Sequence, residues 1–182
     1  MKTAALVIAA ATLALGHVAS AGTYIGLAVG PSLDASGDTA FKSTDRDGKL
    51  LFGLSFGPLA IEAGALRGSL AQTDGGRGYD VTQLSISAKY DFPLAEGFEA
   101  FGRAGLQRTS LSSQSSADMG AADADGTGLL LGAGIEYRIN LVATQASLFV
   151  EYDFTSTKLN GPELQDVSLQ TRGFLLGATV GF

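Results

Sequence analysis

Nine ionisable residues sit alone between apolar or small neighbours: Glu62, Lys89, Asp91, Glu99, Arg103, Glu136, Arg138, Glu151 and Asp153. Charge at every second position belongs to one face of a strand. Six acids and three bases on one face would carry a formal charge of -3. In a confined space each charge then needs a partner, a water or a proton. Arg103 and Arg138 are the natural partners for Glu62, Glu99, Glu136 and Glu151. Such a cluster supports ion pairing or a narrow cation path. Catalysis is not expected: the single histidine is His17 and there is no cysteine, so the commonest general base and the thiol nucleophile are missing downstream. No cofactor is expected. Asp45-Arg46-Asp47-Gly48 and Asp123-Ala124-Asp125-Gly126 open like calcium loops but lack the later acid, and Asp-Gly is ordinary turn chemistry, so no metal ligands are assigned. Gly126, Gly128, Gly132 and Gly134 alternate with Leu and Ala with no helix pattern after them, as small residues of a strand do.

Positioning that face requires strands, and period-two alternation predicts eight of them: 23–30, 49–57, 59–70, 80–92, 98–109, 127–139, 145–155 and 169–182. The connections alternate long (31–48, 71–79, 110–126, 156–165) and short (Pro58, 93–97, 140–144). Antiparallel neighbours joined in order would gather the long connections at one end. Opposite the charges runs an apolar row, such as Leu129, Leu131, Ala133, Ile135 and Tyr137. Aromatics collect near the strand ends: Phe56, Tyr90, Phe92, Phe98, Tyr137 and Phe182 at one, Tyr152, Phe154 and Phe174 at the other. Girdles of this kind mark the two interfaces of a bilayer. The expected class is all-β: an eight-stranded antiparallel up-and-down transmembrane β-barrel, apolar side to lipid, ionised side inward.

The N-terminus reads as an export signal. Lys2 is followed by an apolar run from Ala4 to Leu15 and then Ala19-Ser20-Ala21, a small-residue cleavage site before Gly22. Residues 1–21 are thus expected to be a cleaved signal peptide and 22–182 one barrel domain. Cleavage removes Lys2 and His17, taking the net charge from -6 to -7. That acidity disfavours nucleic acid as a partner. The chain closes on an alternating row, Phe174, Leu176, Ala178, Val180 and Phe182, with small residues between. In a soluble protein this strand would be a sticky edge; in a barrel it pairs with the first strand.

The Ala19-Ser20-Ala21 site, the eight alternating strands and the 174–182 row together resemble the small outer-membrane β-barrels of Gram-negative bacteria, the opacity-type surface antigens and the OmpA- and OmpX-like barrels. The last strand is similar to the C-terminal signal by which such proteins are recognised for insertion. The resemblance implies the outer membrane as location, membrane lipids and the barrel assembly machinery as partners, and a structural, surface-antigen or adhesive role in which the long connections meet any surface ligand. A monomer is expected, since eight strands close alone. Two alternatives stand beside this: a small cation-preferring channel, and a soluble lipocalin-like barrel with the two faces reversed.

Overall fold

The computed structural model describes residues 21–30, 34–37, 41–43, 47–72, 78–113, 124–140, 144–161 and 166–182. Ten strands follow one another: β1 (Ala21–Gly30), β2 (Asp34–Gly37), β3 (Phe41–Ser43), β4 (Asp47–Phe56), β5 (Leu59–Gln72), β6 (Gly78–Ala95), β7 (Phe98–Ser113), β8 (Ala124–Asn140), β9 (Gln145–Leu159) and β10 (Val167–Gly181). Eight of them form a closed antiparallel ring in the order β1-β4-β5-β6-β7-β8-β9-β10, shut by pairing of β10 with β1 from Tyr24↔Gly181 to Val29↔Leu176. Thr23 and Phe182 complete the seam, each backbone N–H donating to the other's carbonyl at 3.1 and 2.9 Å. Closure satisfies the edge that an exposed last strand would leave open.

β2 and β3 lie within the first long connection, a stretch whose sequence reads as loop. They continue the wall above β1 and β4: β2 pairs with β10 at 169–172, and β3 with β5 at 70–72. The short connections are tight. Gly57 and Gly97 take positive φ, 66° and 76°, which an L side chain resists. Each turn is tied to the next strand: Asp91 N–H donates to the Pro58 carbonyl at 2.8 Å and Arg138 N–H to that of Gly97 at 2.7 Å. Pro93, expected in a turn, instead stands in β6 beside a register shift, as suits a residue without an N–H.

The apolar rows face outward. Leu131, Val150 and Leu176 are among the exposed apolar residues, whereas Arg103 and Glu136 are buried inside the ring. The reversed arrangement of a soluble apolar-ligand barrel is therefore not the one adopted. Aromatic pairs stack at both borders of this belt, with ring centroids 4.7 Å apart for Tyr90–Phe92 and Phe98–Tyr137, and 4.8 Å for Tyr152–Phe174.

Six of the strands, β5 to β10, run 14 to 18 residues. About ten tilted residues suffice for the apolar band of a membrane barrel. The surplus lies at the long-connection end, in stretches whose sequence suggests loops. The alternation there changes sense. Leu70, Tyr79, Val81, Leu111, Ala124, Leu159 and Leu169 point inward and form a buried apolar cluster. Ser112, Asp125, Lys158 and Gln170 face outward. Above the belt the wall is built for water.

Candidate functional site

The interior is stacked in layers, and each layer follows from strand parity. At the short-turn end, Lys89 from β6 donates to Glu136 of β8 at 2.6 Å and pairs with Asp91 at 3.0 Å. Arg138 reaches Asp91, Glu99 and Glu136 at 2.7, 2.8 and 2.5 Å. Deeper in, Lys49 of β4 bridges Glu151 and Asp153 of β9, both at 2.6 Å. Arg103 of β7 spans Glu62 and Glu151 at 2.8 and 3.0 Å, and the Tyr24 hydroxyl donates to Glu62 at 2.5 Å. The Phe101 ring connects the two networks, with Lys89 Nζ 4.5 Å and the Arg103 guanidinium 5.7 Å from its centroid. Cations over an aromatic face gain electrostatically from the ring quadrupole.

All nine residues singled out from the sequence thus lie in these two networks, and Arg103 and Arg138 take the four glutamates named for them. One further base joins them, and one further acid is buried in the interior. Lys49 opens a strand next to polar residues, yet its parity, opposite Leu50, places it inward. Asp47, in a stretch whose sequence reads as loop, heads β4 and is buried, its carboxylate where a Cβ on Gly68 would go. Among the described residues seven acids then face four bases, six plus Asp47 against three plus Lys49, so their formal charge stays at -3.

Glycines make the room. Tyr24, Phe101 and Phe149 stand directly across the ladder from Gly53, Gly134 and Gly177. A Cβ at any of the three would overlap the facing ring. Phe101 and Phe149 meet edge to face, centroids 6.4 Å apart, in an apolar layer with Ala28, Leu51, Leu66 and Leu175. Next comes a layer of neutral hydrogen bonds: Gln107 donates to Thr109 and Thr157 at 3.1 and 3.3 Å, and Thr155 meets Thr171 at 2.5 Å. Beside it a cavity of about 20 Å³ touches Lys49, Gln83, Asp153 and Thr171, enough for one water near the otherwise unsatisfied Asp153 Oδ1. The apolar cluster of Leu70, Leu111, Leu159 and Leu169 closes the long-connection end.

At the opposite end the interior opens into a cavity of about 400 Å³, lined among others by Tyr24, Lys89, Glu136, Arg138 and Thr179. Asp91, Glu99 and Glu136 gather carboxylate oxygens within 4.8 Å of one another, a spacing that could hold a cation. Arg138 already bonds all three and Lys89 two of them, so the chain supplies its own cations there.

Of the two calcium-like stretches, Asp45, Arg46 and Asp123 lie outside the described residues. Asp47 is interior, and Asp125 is on β8, paired with Arg108 at 2.9 Å. Gly126, Gly128, Gly132 and Gly134 all stand in β8. Phe174, Leu176, Ala178, Val180 and Phe182 form one outward row. Ala21 and Gly22 begin β1 opposite Phe56 and Ser55; Ala19 is outside the described residues.

The family model of the outer membrane protein beta-barrel domain matches residues 3–182. Among solved structures, Neisserial surface protein A (NspA) is similar with a TM-score of 0.61 and 17% identity over 89% of this chain and 97% of that one. Ail, the attachment invasion locus protein of Yersinia pestis, solved with the heparin analogue sucrose octasulfate, gives 0.56 and 18% over 90% and 99%. OprG from Pseudomonas aeruginosa gives 0.56 and 17% over 92% and 98%. These likenesses are likenesses of fold. No curated protein matches the chain.

Proposed function

The chain belongs to the outer membrane protein β-barrel domain family, a bacterial outer-membrane barrel, and on that footing we propose that it works without catalysis as a structural and adhesive surface protein whose long connections are its contact surfaces. One observation carries this reading: the barrel is filled where a pore would need to be open, while its strands rise past the apolar belt toward the long connections. The molecule is then a rigid stalk that presents loops. That Ail was solved with a heparin analogue fits a surface-binding role for barrels of this shape.

The same reading includes export through cleavage before Gly22, insertion by the assembly machinery through the 174–182 row, short turns toward the periplasm, and a monomer. N-terminal sequencing of the mature protein checks the cleavage; a first residue other than Gly22 revises it.

Adhesion is tested by removing 114–123 and 38–40 from cells expressing the protein and measuring attachment to host cells. The deletions stop there because Leu111, Ala124 and Asp47 belong to the barrel interior. Unchanged attachment counts against the adhesive role. The 400 Å³ cavity favours the channel alternative as far as the apolar seal. Planar-bilayer recordings decide it, and steady cation-selective steps from the purified protein would put a channel in place of the filled stalk.

A further inference from the structure

The outward cations are distributed unevenly. Lys49, Lys89, Arg103 and Arg138 lie inside the ring. Arg67, Arg108, Lys158 and Arg172 are exposed, and all four point outward at the long-connection end. Among the described residues no exposed Lys or Arg stands at the short-turn end, where Glu96, Asn140 and Gln145 are exposed. Three of the four share one feature. On β5 the outward row reads Leu59, Ile61, Ala63, Ala65, then Arg67; on β7, Phe98 to Leu106, then Arg108; on β10, Phe182 back to Phe174, then Arg172. On three strands, therefore, the first charged position beyond the apolar belt is arginine.

We propose that Arg67, Arg108 and Arg172, extended by Lys158, form a rim that binds the phosphates of an anionic lipid whose acyl chains lie against the belt. The proposal rests on the membrane-barrel reading above. Position selects the ligand. These side chains leave the wall sideways at the border of the apolar surface, where headgroups lie. Register places Arg67 opposite Thr82 of β6, and Arg108 opposite Leu84, two residues along the same strand. With strands about 4.8 Å apart and steps of about 3.3 Å, the two arginines stand roughly 12 Å from each other, so they serve separate phosphates or two phosphates of one headgroup. Arg172 sits directly above Phe174, whose ring packs on Tyr152, a platform for the first acyl carbons.

Two acids share the rim: Asp125 pairs with Arg108 at 2.9 Å, and Asp80 lies on β6. A guanidinium has five donors in a planar fork, so one carboxylate leaves an edge free for phosphate. Lysine at these sites would keep the charge and lose the fork.

The test uses the full mature chain in detergent micelles doped with a bisphosphorylated acylated disaccharide, with its dephosphorylated form as control and binding read by native mass spectrometry. The wild type should prefer the phosphorylated lipid and release it as salt rises from about 50 to 300 mM. R67Q/R108Q/R172Q should lose about tenfold or more in affinity, because each cation near an anionic lipid surface changes partitioning by roughly fivefold. R67K/R108K/R172K should retain most of the binding. A folded triple glutamine variant that binds within twofold of wild type overturns the proposal, as does equal binding of the dephosphorylated lipid. Displacement by sucrose octasulfate at equal or lower concentration would assign the rim to soluble polyanions and overturn it too. If the triple variant fails to give the heat-resistant barrel band, R172Q alone and the salt titration carry the test. Binding in detergent does not depend on which leaflet the rim faces; protease access to 114–123 on whole cells reports orientation separately.

Discussion

The lower and upper parts of the barrel are one continuous wall with opposite insides. Toward the short turns, Leu131, Val150 and Leu176 face out and Arg103, Glu151 and Lys49 face in. Toward the long connections, Ser112, Asp125 and Lys158 face out and Leu70, Leu111 and Leu159 face in. Hydrogen bonding along the ladder is unbroken across the change: β7 and β8 pair from Phe98↔Tyr137 to Leu111↔Ala124. The backbone is indifferent to which side is oily. What decides is the medium beyond the wall, hydrocarbon below and water above. Within the lower part, the two ion networks make a second contrast. Each has two bases and three acids, but the inner one is buried while Arg138 and Glu99 keep 25% and 20% of their side-chain surface beside the open cavity.

The strongest way to break the lower part is to remove a shared cation from the buried network. Arg103→Ala leaves Glu62 and Glu151 without their guanidinium and should cost about 3–5 kcal/mol, measured by urea unfolding in micelles. Arg138→Ala should cost less than half as much, because cavity water can solvate its carboxylates; equal losses would show that the cavity is dry. In the upper part, Leu159→Ala should cost about 2–5 kcal/mol, as for any buried leucine, and should loosen the seal without opening a pore, since the layers beneath remain. Single-channel steps from this variant would instead make the cluster the gate of a channel.

The next effect compares two positions on one strand. Leu131→Arg, on the lipid side of β8, should cost about 2–4 kcal/mol in vesicles. Thr127→Arg, four residues along the same face and beyond the belt, should stay within about 0.5 kcal/mol, the usual range for a surface change. A similar loss at both would place the water boundary higher than the change of alternation does. Smallest of all, Ser112→Lys should leave stability unaltered within about 0.5 kcal/mol, and its failure to do so would mean that 112 is not facing water.

What the sequence hides, it hides for one reason. Outward apolar residues mark a membrane strand, and those end at Leu106 on β7 and Leu129 on β8. Leu111, Ala124 and Leu159 keep the period of two with the faces exchanged, so beside polar neighbours they look like loop. Tyr79 and Asp47 are concealed in the same way. Lys49 is legible by parity alone, and so is Tyr24.

By itself the sequence determined the eight strands, which side of each meets lipid, and the set of charges that must share the inside, because alternation along a strand is a local property that survives any arrangement of its neighbours. Only the closed ring decided who pairs with whom. Lys49 meets Glu151 across a lumen, and Arg67 comes to roughly 12 Å from Arg108 with β6 between them; such distances depend on the stagger of strands around the barrel, which no single segment encodes.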